Sequence, residues 1–150
     1  DDYGTQKGPL MSAELWDEFF RQPLKRLADI ARANGARFYL HSCGSVRTLI
    51  PSLIEIGVAV LDPLQVAADG MDPAGLKRDF GDRICFSGGV DEQELLPRGT
   101  PEQIREGVFR LLDTMMPGGG FILGPTHNLQ DDIPTANVVA MYEAARDWSG

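Results

Sequence analysis

The stretch Arg37-Phe-Tyr-Leu-His-Ser-Cys-Gly44 indicates both the fold and a candidate site. Its apolar beginning predicts a short buried strand, and this strand ends where His41 and Cys43 replace apolar side chains. In parallel α/β folds, ligands and chemistry lie at the carboxyl ends of the strands. A strand alternates its faces, so residues two apart point the same way and can reach one ion. Imidazole with thiolate is a pairing typical of zinc sites.

Helices and strands alternate on both sides of this stretch. A long helix is predicted from Ser12 to about Asn34, with either a kink or a junction of two helices at Pro23, and four strand–helix units follow it. The predicted strands span residues 37–41, 58–62, 83–87 and 121–124, and the helices after them begin near residues 46, 72, 100 and 134. Such alternation predicts a parallel sheet covered by helices.

The size of these units is typical of a (β/α)8 barrel, in which eight units need about 250 residues. This chain has 150 residues, and its sequence contains only half of the eight units. We therefore expect residues 1–150 to form a single α/β domain, the C-terminal half of a TIM-type barrel. Half a barrel leaves two open sheet edges. It should therefore pair with a missing N-terminal half, form a homodimer, or be a piece of a longer protein.

Composition argues against several classes of function. The net charge is −8 and the isoelectric point is about 4.6, whereas a nucleic-acid-binding surface is basic. No apolar run approaches the roughly 18–20 residues that span a bilayer, so we expect no membrane segment. The N-terminus does not resemble a signal peptide, and the only two cysteines, Cys43 and Cys85, do not make a disulfide framework. We therefore expect a reducing, cytoplasmic setting.

Polar residues collect at each predicted strand end. They are His41 and Cys43, then Asp62, then Ser87 and Asp91, and finally His127 and Asn128, while Asp1 and Asp2 would follow a preceding strand. If the strands lie side by side in a barrel, these side chains converge on one mouth. Structural roles stay open: Asp62 could be a turn residue, Asp91 could cap a turn, and His127 could bond its own loop. Cys85, within a strand, is interpreted as a small buried hydrophobe.

Two apolar stripes at helical spacing predict buried helix faces. One comprises Leu15, Trp16, Phe19, Phe20, Leu24, Leu27, Ile30 and Ala31, and the other comprises Val138, Val139, Met141, Tyr142 and Ala145. We expect both stripes to belong to the core.

Five motifs, in this order and spacing, resemble the uroporphyrinogen decarboxylase superfamily. They are Asp2-Tyr-Gly-Thr-Gln6, His41-Ser-Cys-Gly44, Leu61-Asp-Pro63, Ser87-Gly-Gly-Val-Asp91, and Gly124-Pro-Thr-His-Asn128 followed by Pro134. The resemblance covers essentially the whole chain and implies the C-terminal half of a TIM-type barrel. That superfamily includes the decarboxylase itself, corrinoid-dependent methyltransferases and, more distantly, cobalamin-independent methionine synthase.

The resemblance implies different site chemistry in its two branches. The methyltransferase branch holds zinc with His-x-Cys and a later Cys, so here His41, Cys43 and His127 would be the ligands, with His in place of the last Cys. The decarboxylase branch has a His at that last position, where it helps to hold substrate. In that branch His127 would contact the substrate, and the pair at 41 and 43 would be incidental.

We favour a zinc-dependent methyltransferase that moves a methyl group between a corrinoid, carried on a partner protein, and a small thiol or methyl-ether substrate. Asp2 or Asp62 would orient a ligand in catalysis. The substrate would contact Asp91, Ser87 and Asn128. Two alternatives remain: cofactor-free decarboxylation of a porphyrinogen's acetate side chains, and a non-catalytic half-barrel that binds a ligand or partner.

Overall fold

The structure, a computed structural model, describes residues 2–150, and Asp1 lies outside the described residues. Four parallel strands form one sheet in which each strand pairs with the next one along the chain. They are β1 (Phe38–His41), β2 (Val58–Leu64), β3 (Cys85–Val90) and β4 (Phe121–Pro125). The predicted order of parallel strands and intervening helices is confirmed.

Helices precede β1, connect the strands and follow β4. They are α1 (Ala13–Trp16), α2 (Gln22–Ala33), α3 (Ile50–Ile56), α4 (Pro73–Phe80), α5 (Leu95–Arg98), α6 (Pro101–Met115) and α7 (Thr135–Asp147). A π-helical segment, Asp17–Arg21, joins α1 to α2, and a short 3-10 helix, Arg47–Leu49, precedes α3. No helix within residues 2–150 is long and apolar enough to cross a bilayer.

The sheet has one covered face and one open face. The register pairs Leu40 with Leu61 and Phe86 with Phe121, and these four side chains are buried beneath the helices. The opposite face is open, since Tyr39 of β1 remains 50% exposed and Ile122 of β4 48%. A parallel sheet with helices on one face only is half of a TIM-type barrel, and this confirms the predicted fold class.

Several predicted helix ends are confirmed, and each has a local chemical cause. The Ser12 hydroxyl accepts a hydrogen bond from the Leu15 N–H at the start of α1. Thr100 and Gln103 form a reciprocal capping box at the start of α6. Helix α3 ends at Gly57, whose φ of +97° is accessible to glycine at little cost.

The structure refines one predicted detail of the elements and corrects two. Pro23 stands in the first turn of α2, directly after the π-helical segment, so it lies where two helical segments meet, which is one of the two roles predicted for it. The second strand continues past Asp62 to Leu64. The third starts at Cys85 rather than at residue 83 and runs on through Gly88 and Gly89.

The prediction that both apolar stripes belong to the core is partly wrong. Trp16 and Leu24 of the first stripe are buried, but Leu15, Phe19, Leu27 and Ile30 are about half exposed or more. In α7, Met141 is buried whereas Val139 and Tyr142 are exposed. Periodicity identifies an apolar face, but it does not reveal whether that face packs within the same chain.

Candidate metal centre

The candidate centre begins at the carboxyl end of β1. The Ser42 N–H donates to the Asp62 carbonyl at 2.6 Å, which extends the β1–β2 pairing one residue past His41. The His41 and Cys43 side chains therefore lie side by side, as their spacing predicts. The distance between Cys43 Sγ and His41 Nε2 is 3.5 Å.

Asp2 reaches this pair because two glycines allow two backbone segments to touch. A Cβ added to Gly44, whose φ is +86°, would lie 2.5 Å from the Gly4 carbonyl carbon. The Ser45 N–H donates to the Thr5 carbonyl at 2.7 Å, which fixes the contact between the two segments. As a result, the Cys43 N–H donates to Asp2 Oδ1 at 2.8 Å.

Asp2, His41 and Cys43 form a three-residue donor group whose ligand atoms all lie within 4.8 Å of one another. Asp2 Oδ1 is 3.7 Å from His41 Nε2. In a tetrahedral zinc site with bonds of about 2.0–2.3 Å, the ligand atoms are separated by roughly 3.3–3.6 Å. The distances from His41 Nε2 to Cys43 Sγ and to Asp2 Oδ1 are close to that range. A carboxylate, an imidazole and a thiolate are all zinc ligands, so this donor set fits the metal that the family resemblance implies.

Asp62 lies behind His41 rather than in the donor group. His41 Nδ1 is 2.8 Å from Asp62 Oδ2, and the Asp62 side chain is largely buried. This contact leaves Nε2 as the nitrogen that faces Asp2 and Cys43. A carboxylate in this position fixes the tautomer and the ring orientation of a metal-binding histidine.

His127, predicted as the third metal ligand, is outside the three-residue donor group in this conformation. Its ring centroid lies 6.4 Å from that of His41 in an edge-on arrangement. The loop after β4 therefore brings His127 beside the group, while Asp2 takes the third place. Asp2 and His127 are hard to distinguish from the sequence, because both lie in loops at predicted strand ends. The contact between Gly4 and Gly44, which forms in the folded chain, is what places Asp2 in the donor group.

The three predicted substrate contacts have different positions. Ser87 lies on the open face of the sheet, where its hydroxyl is 2.8 Å from the Tyr39 hydroxyl. Ser87, Asp62 and Asn128 line one pocket of about 280 Å³ together with His41 and His127. Asp91 does not line this pocket.

Asp91 has the capping role that was considered as its alternative. Its carboxylate accepts hydrogen bonds from the Gln93 N–H at 3.0 Å and the Leu95 N–H at 3.4 Å, at the start of α5. These bonds engage both carboxylate oxygens in the cap, and a contact between Asp91 and substrate stays a prediction.

A second pocket, of about 310 Å³, adjoins the donor group. Its lining includes Asp2, Cys43, Gln65, Glu92, Thr126 and His127. Sequence reasoning missed Gln65 and Glu92. Gln65 is the first residue after β2 and Glu92 the second after β3, so the rule that pointed to Cys43, the second residue after β1, applies to them too.

The surroundings of Cys43 disfavour its thiolate form. Burial, followed by the carboxylates of Asp2, Asp62 and Glu92, raises the pKa of the Cys43 thiol to about 11. Burial also raises the pKa of Glu92. A cation bound at this group would oppose these effects, because a metal-coordinating thiol is deprotonated.

Comparison with known proteins agrees with this architecture. The family model described as uroporphyrinogen decarboxylase (URO-D) matches residues 2–148. A uroporphyrinogen decarboxylase of Pseudoalteromonas translucida is 30% identical over 93 residues, which are 56% of this chain and 26% of that protein. One from Sodalis glossinidius is 31% identical over 81 residues, which are 48% of this chain and 22% of that protein. The aligned regions thus span about a quarter of these relatives.

A solved structure shares the fold over most of the chain. A methyltransferase from Methanosarcina mazei superposes with a TM-score of 0.75 at 22% identity, covering 92% of this chain and 38% of that one. At this identity the likeness concerns the fold alone. The family match over residues 2–148 places the chain in the uroporphyrinogen decarboxylase family.

Proposed function

We propose that this chain is the metal-binding half of a zinc-dependent methyltransferase, which moves a methyl group between a corrinoid and a thiol or methyl-ether substrate. The three-residue donor group supports this most strongly, because Asp2, His41 and Cys43 have no evident joint task in a metal-free decarboxylase. The fold shared with a methyltransferase is consistent with the proposal.

Each residue of the centre has a proposed role. Asp2, His41 and Cys43 would hold Zn²⁺, and His127 is near enough to join them or to contact substrate. When bound, zinc would act as a Lewis acid that stabilises a substrate thiolate or polarises a methyl-ether oxygen. Asp62 would keep a proton on His41 Nδ1 and so direct Nε2 toward the ion.

The substrate would be a small molecule at the mouth where the four strands end, with Ser87 and Asn128 among its contacts. The methyl carrier would be a corrinoid on a partner protein. We further propose a reducing, cytoplasmic setting, because Cys43 must remain a free thiol to serve as a ligand, and both Cys43 and Cys85 are free.

We propose that a partner covers the open face of the sheet, and the helices at the two ends of the sheet favour one kind of partner. Helix α2 packs on β1 and α3 at one end of the sheet, while α7 packs on α6 at the other. If two copies formed one eight-stranded barrel, α7 of one copy and α2 of the other would both occupy the junction between the two sheets. We therefore favour a different four-stranded unit, an N-terminal half-barrel with helices only between its strands, over a homodimer.

The proposal is tested by cobalt(II), a spectroscopic substitute for zinc. We expect stoichiometric Co²⁺ binding with a sulfur-to-cobalt charge-transfer band, which grows when 2-mercaptoethanol supplies a second sulfur. Cys43→Ser should remove the band present before the thiol is added, and Cys85→Ser is the matched control that should keep it. A wild-type protein that binds no Co²⁺ and no Zn²⁺ would contradict the proposal.

A second candidate function is decarboxylation, which the names of the curated relatives favour. The two functions differ in one variant: Cys43→Ser should leave a decarboxylase active on uroporphyrinogen and should abolish metal-dependent methyl transfer. If the wild-type protein has neither activity but still binds ligand, a non-catalytic half-barrel would be favoured.

A further inference from the structure

A row of polar side chains continues from His41 across the open face of the sheet, below the strand ends. Tyr39 precedes His41 by two residues on β1, so both side chains lie on this face. Ser87 lies on β3, two strands away, and neighbouring strands are about 4.8 Å apart. The Tyr39 side chain therefore extends across β2, which brings its hydroxyl to 2.8 Å from the Ser87 hydroxyl.

Asp62, on the intervening strand, lies along the path of the Tyr39 side chain. It is opposite His41 in the β1–β2 register, and its Oδ2 is 2.8 Å from His41 Nδ1. The pocket that these two residues line is also lined by Tyr39 and Ser87. Burial raises the pKa of the Tyr39 hydroxyl, a hydrogen bond with Ser87 opposes this rise, and a hydrogen bond with Asp62 adds to it. Tyr39 therefore keeps its proton at neutral pH and can donate it.

Counting protons gives the direction of these hydrogen bonds. Each hydroxyl carries one proton, whereas an ionised carboxylate can only accept. If Tyr39 donated to Ser87, the buried Ser87 hydroxyl would have no acceptor for its own proton, because Tyr39 is its only side-chain partner within residues 2–150. The consistent order is that Ser87 donates to Tyr39 and Tyr39 donates to Asp62. Asp62 then accepts from Tyr39 on one side and from His41 Nδ1 on the other.

We propose that Tyr39 is a positioning residue of the metal centre, whose hydroxyl holds the Asp62 carboxylate in the orientation that keeps the proton of His41 on Nδ1. Nε2 is then unprotonated and faces the two other proposed ligands, Asp2 and Cys43. This inference rests on the proposed function for the use made of that tautomer, whereas the tautomer itself is measurable without a metal ion.

The first test is nitrogen-15 NMR of the metal-free protein labelled at its two histidines, His41 and His127. A protonated and an unprotonated ring nitrogen give well separated signals at about pH 8.5, where neutral imidazole predominates. We expect the proton of wild-type His41 on Nδ1, and His127→Gln assigns the signals. Tyr39→Phe removes only the hydroxyl and should raise the ratio of the Nε2–H to the Nδ1–H tautomer about 3–10-fold. Tyr142→Phe, at an exposed position of α7, is the matched control and should keep the wild-type ratio.

The second test is zinc affinity, measured at the same pH by competition with a chromophoric chelator. Tyr39→Phe should raise the zinc dissociation constant about 3–10-fold, because Asp62 loses the donor that orients it toward His41. Tyr142→Phe should leave the dissociation constant within about twofold of the wild type, since its hydroxyl is remote from the centre.

The outcomes separate this inference from the proposed function. If Tyr39→Phe keeps the wild-type tautomer ratio or the wild-type zinc affinity, the positioning role is refuted while the metal site stands. The role is also refuted if wild-type His41 carries its proton on Nε2. If the wild type binds no zinc, the proposed function fails and the role of Tyr39 at a metal centre fails with it. A shifted tautomer together with weaker zinc binding, in Tyr39→Phe and not in Tyr142→Phe, supports both.

Discussion

Replacing Asp62 by asparagine tests whether the carboxylate behind His41 prepares the centre. The change keeps the size of the side chain and removes its charge, and thus its strength as the acceptor 2.8 Å from His41 Nδ1. An asparagine can also present its NH2 group to Nδ1, which would allow the wrong tautomer with the proton on Nε2. A hydrogen bond to a charged group contributes about 1.5–3 kcal/mol, and losing such a partner typically weakens metal binding about 10–100-fold.

We therefore expect Asp62→Asn to raise the zinc dissociation constant about 10–100-fold, or by about 1.4–2.7 kcal/mol. Competition with a chromophoric chelator at constant pH measures this directly. Asp82→Asn is the matched control, because the Asp82 side chain is 81% exposed and, among residues 2–150, pairs only with Arg83 on a turn away from the site. If Asp62→Asn binds zinc within about threefold of the wild type, Asp62 does not position His41, and that part of the reasoning fails.

Three further changes have defined outcomes. Gly44→Ala should cost about 2–4 kcal/mol of stability in urea unfolding and abolish zinc binding, since its Cβ would meet Gly4. The control Gly118→Ala, at a position with φ +75° and no neighbour within 4 Å, should cost only about 1–2 kcal/mol. Equal losses of stability in the two variants would rule out the Gly4–Gly44 contact as the cause. Thr100→Ala should remove about 1 kcal/mol by breaking the capping box of α6, and an unchanged urea midpoint would contradict this. Asp79→Asn should destabilise the protein at pH 7 but not near pH 2, because Arg78, with Arg47, lowers the pKa of Asp79 below its ordinary 3.8. The stabilisation from these ion pairs is complete above pH 3.8 and is lost as the pH falls through the lowered pKa. A difference in melting temperature between variant and wild type that does not change with pH would refute this.

The sequence predicts the alternation of elements well because each boundary has a local cause. The Thr100 capping box and the Gly57 helix end depend on neighbouring residues alone. By contrast, the burial of Phe19 depends on what lies opposite the helix, and that side of α1 and α2 has no covering partner within residues 2–150. An apolar period therefore predicted the helix correctly and its environment incorrectly.

The candidate site was predictable only in part, for the same reason. The pairing of His41 with Cys43 follows from strand geometry, and their proximity is confirmed. The position of Asp2 beside His41 and Cys43 depends on two glycines that are 40 positions apart in sequence and touch only in the folded chain. Asp62 was expected to orient a ligand, and its contact with His41 Nδ1 is the geometry that this role requires.

Zinc X-ray absorption on the zinc-loaded protein tests the central claim most directly. The account predicts one sulfur at about 2.3 Å and the remaining ligands, nitrogen or oxygen, at about 2.0–2.2 Å, with the sulfur lost in Cys43→Ser and kept in Cys85→Ser. A first shell that contains no sulfur, or one unchanged in Cys43→Ser, would contradict a metal centre built on Asp2, His41 and Cys43.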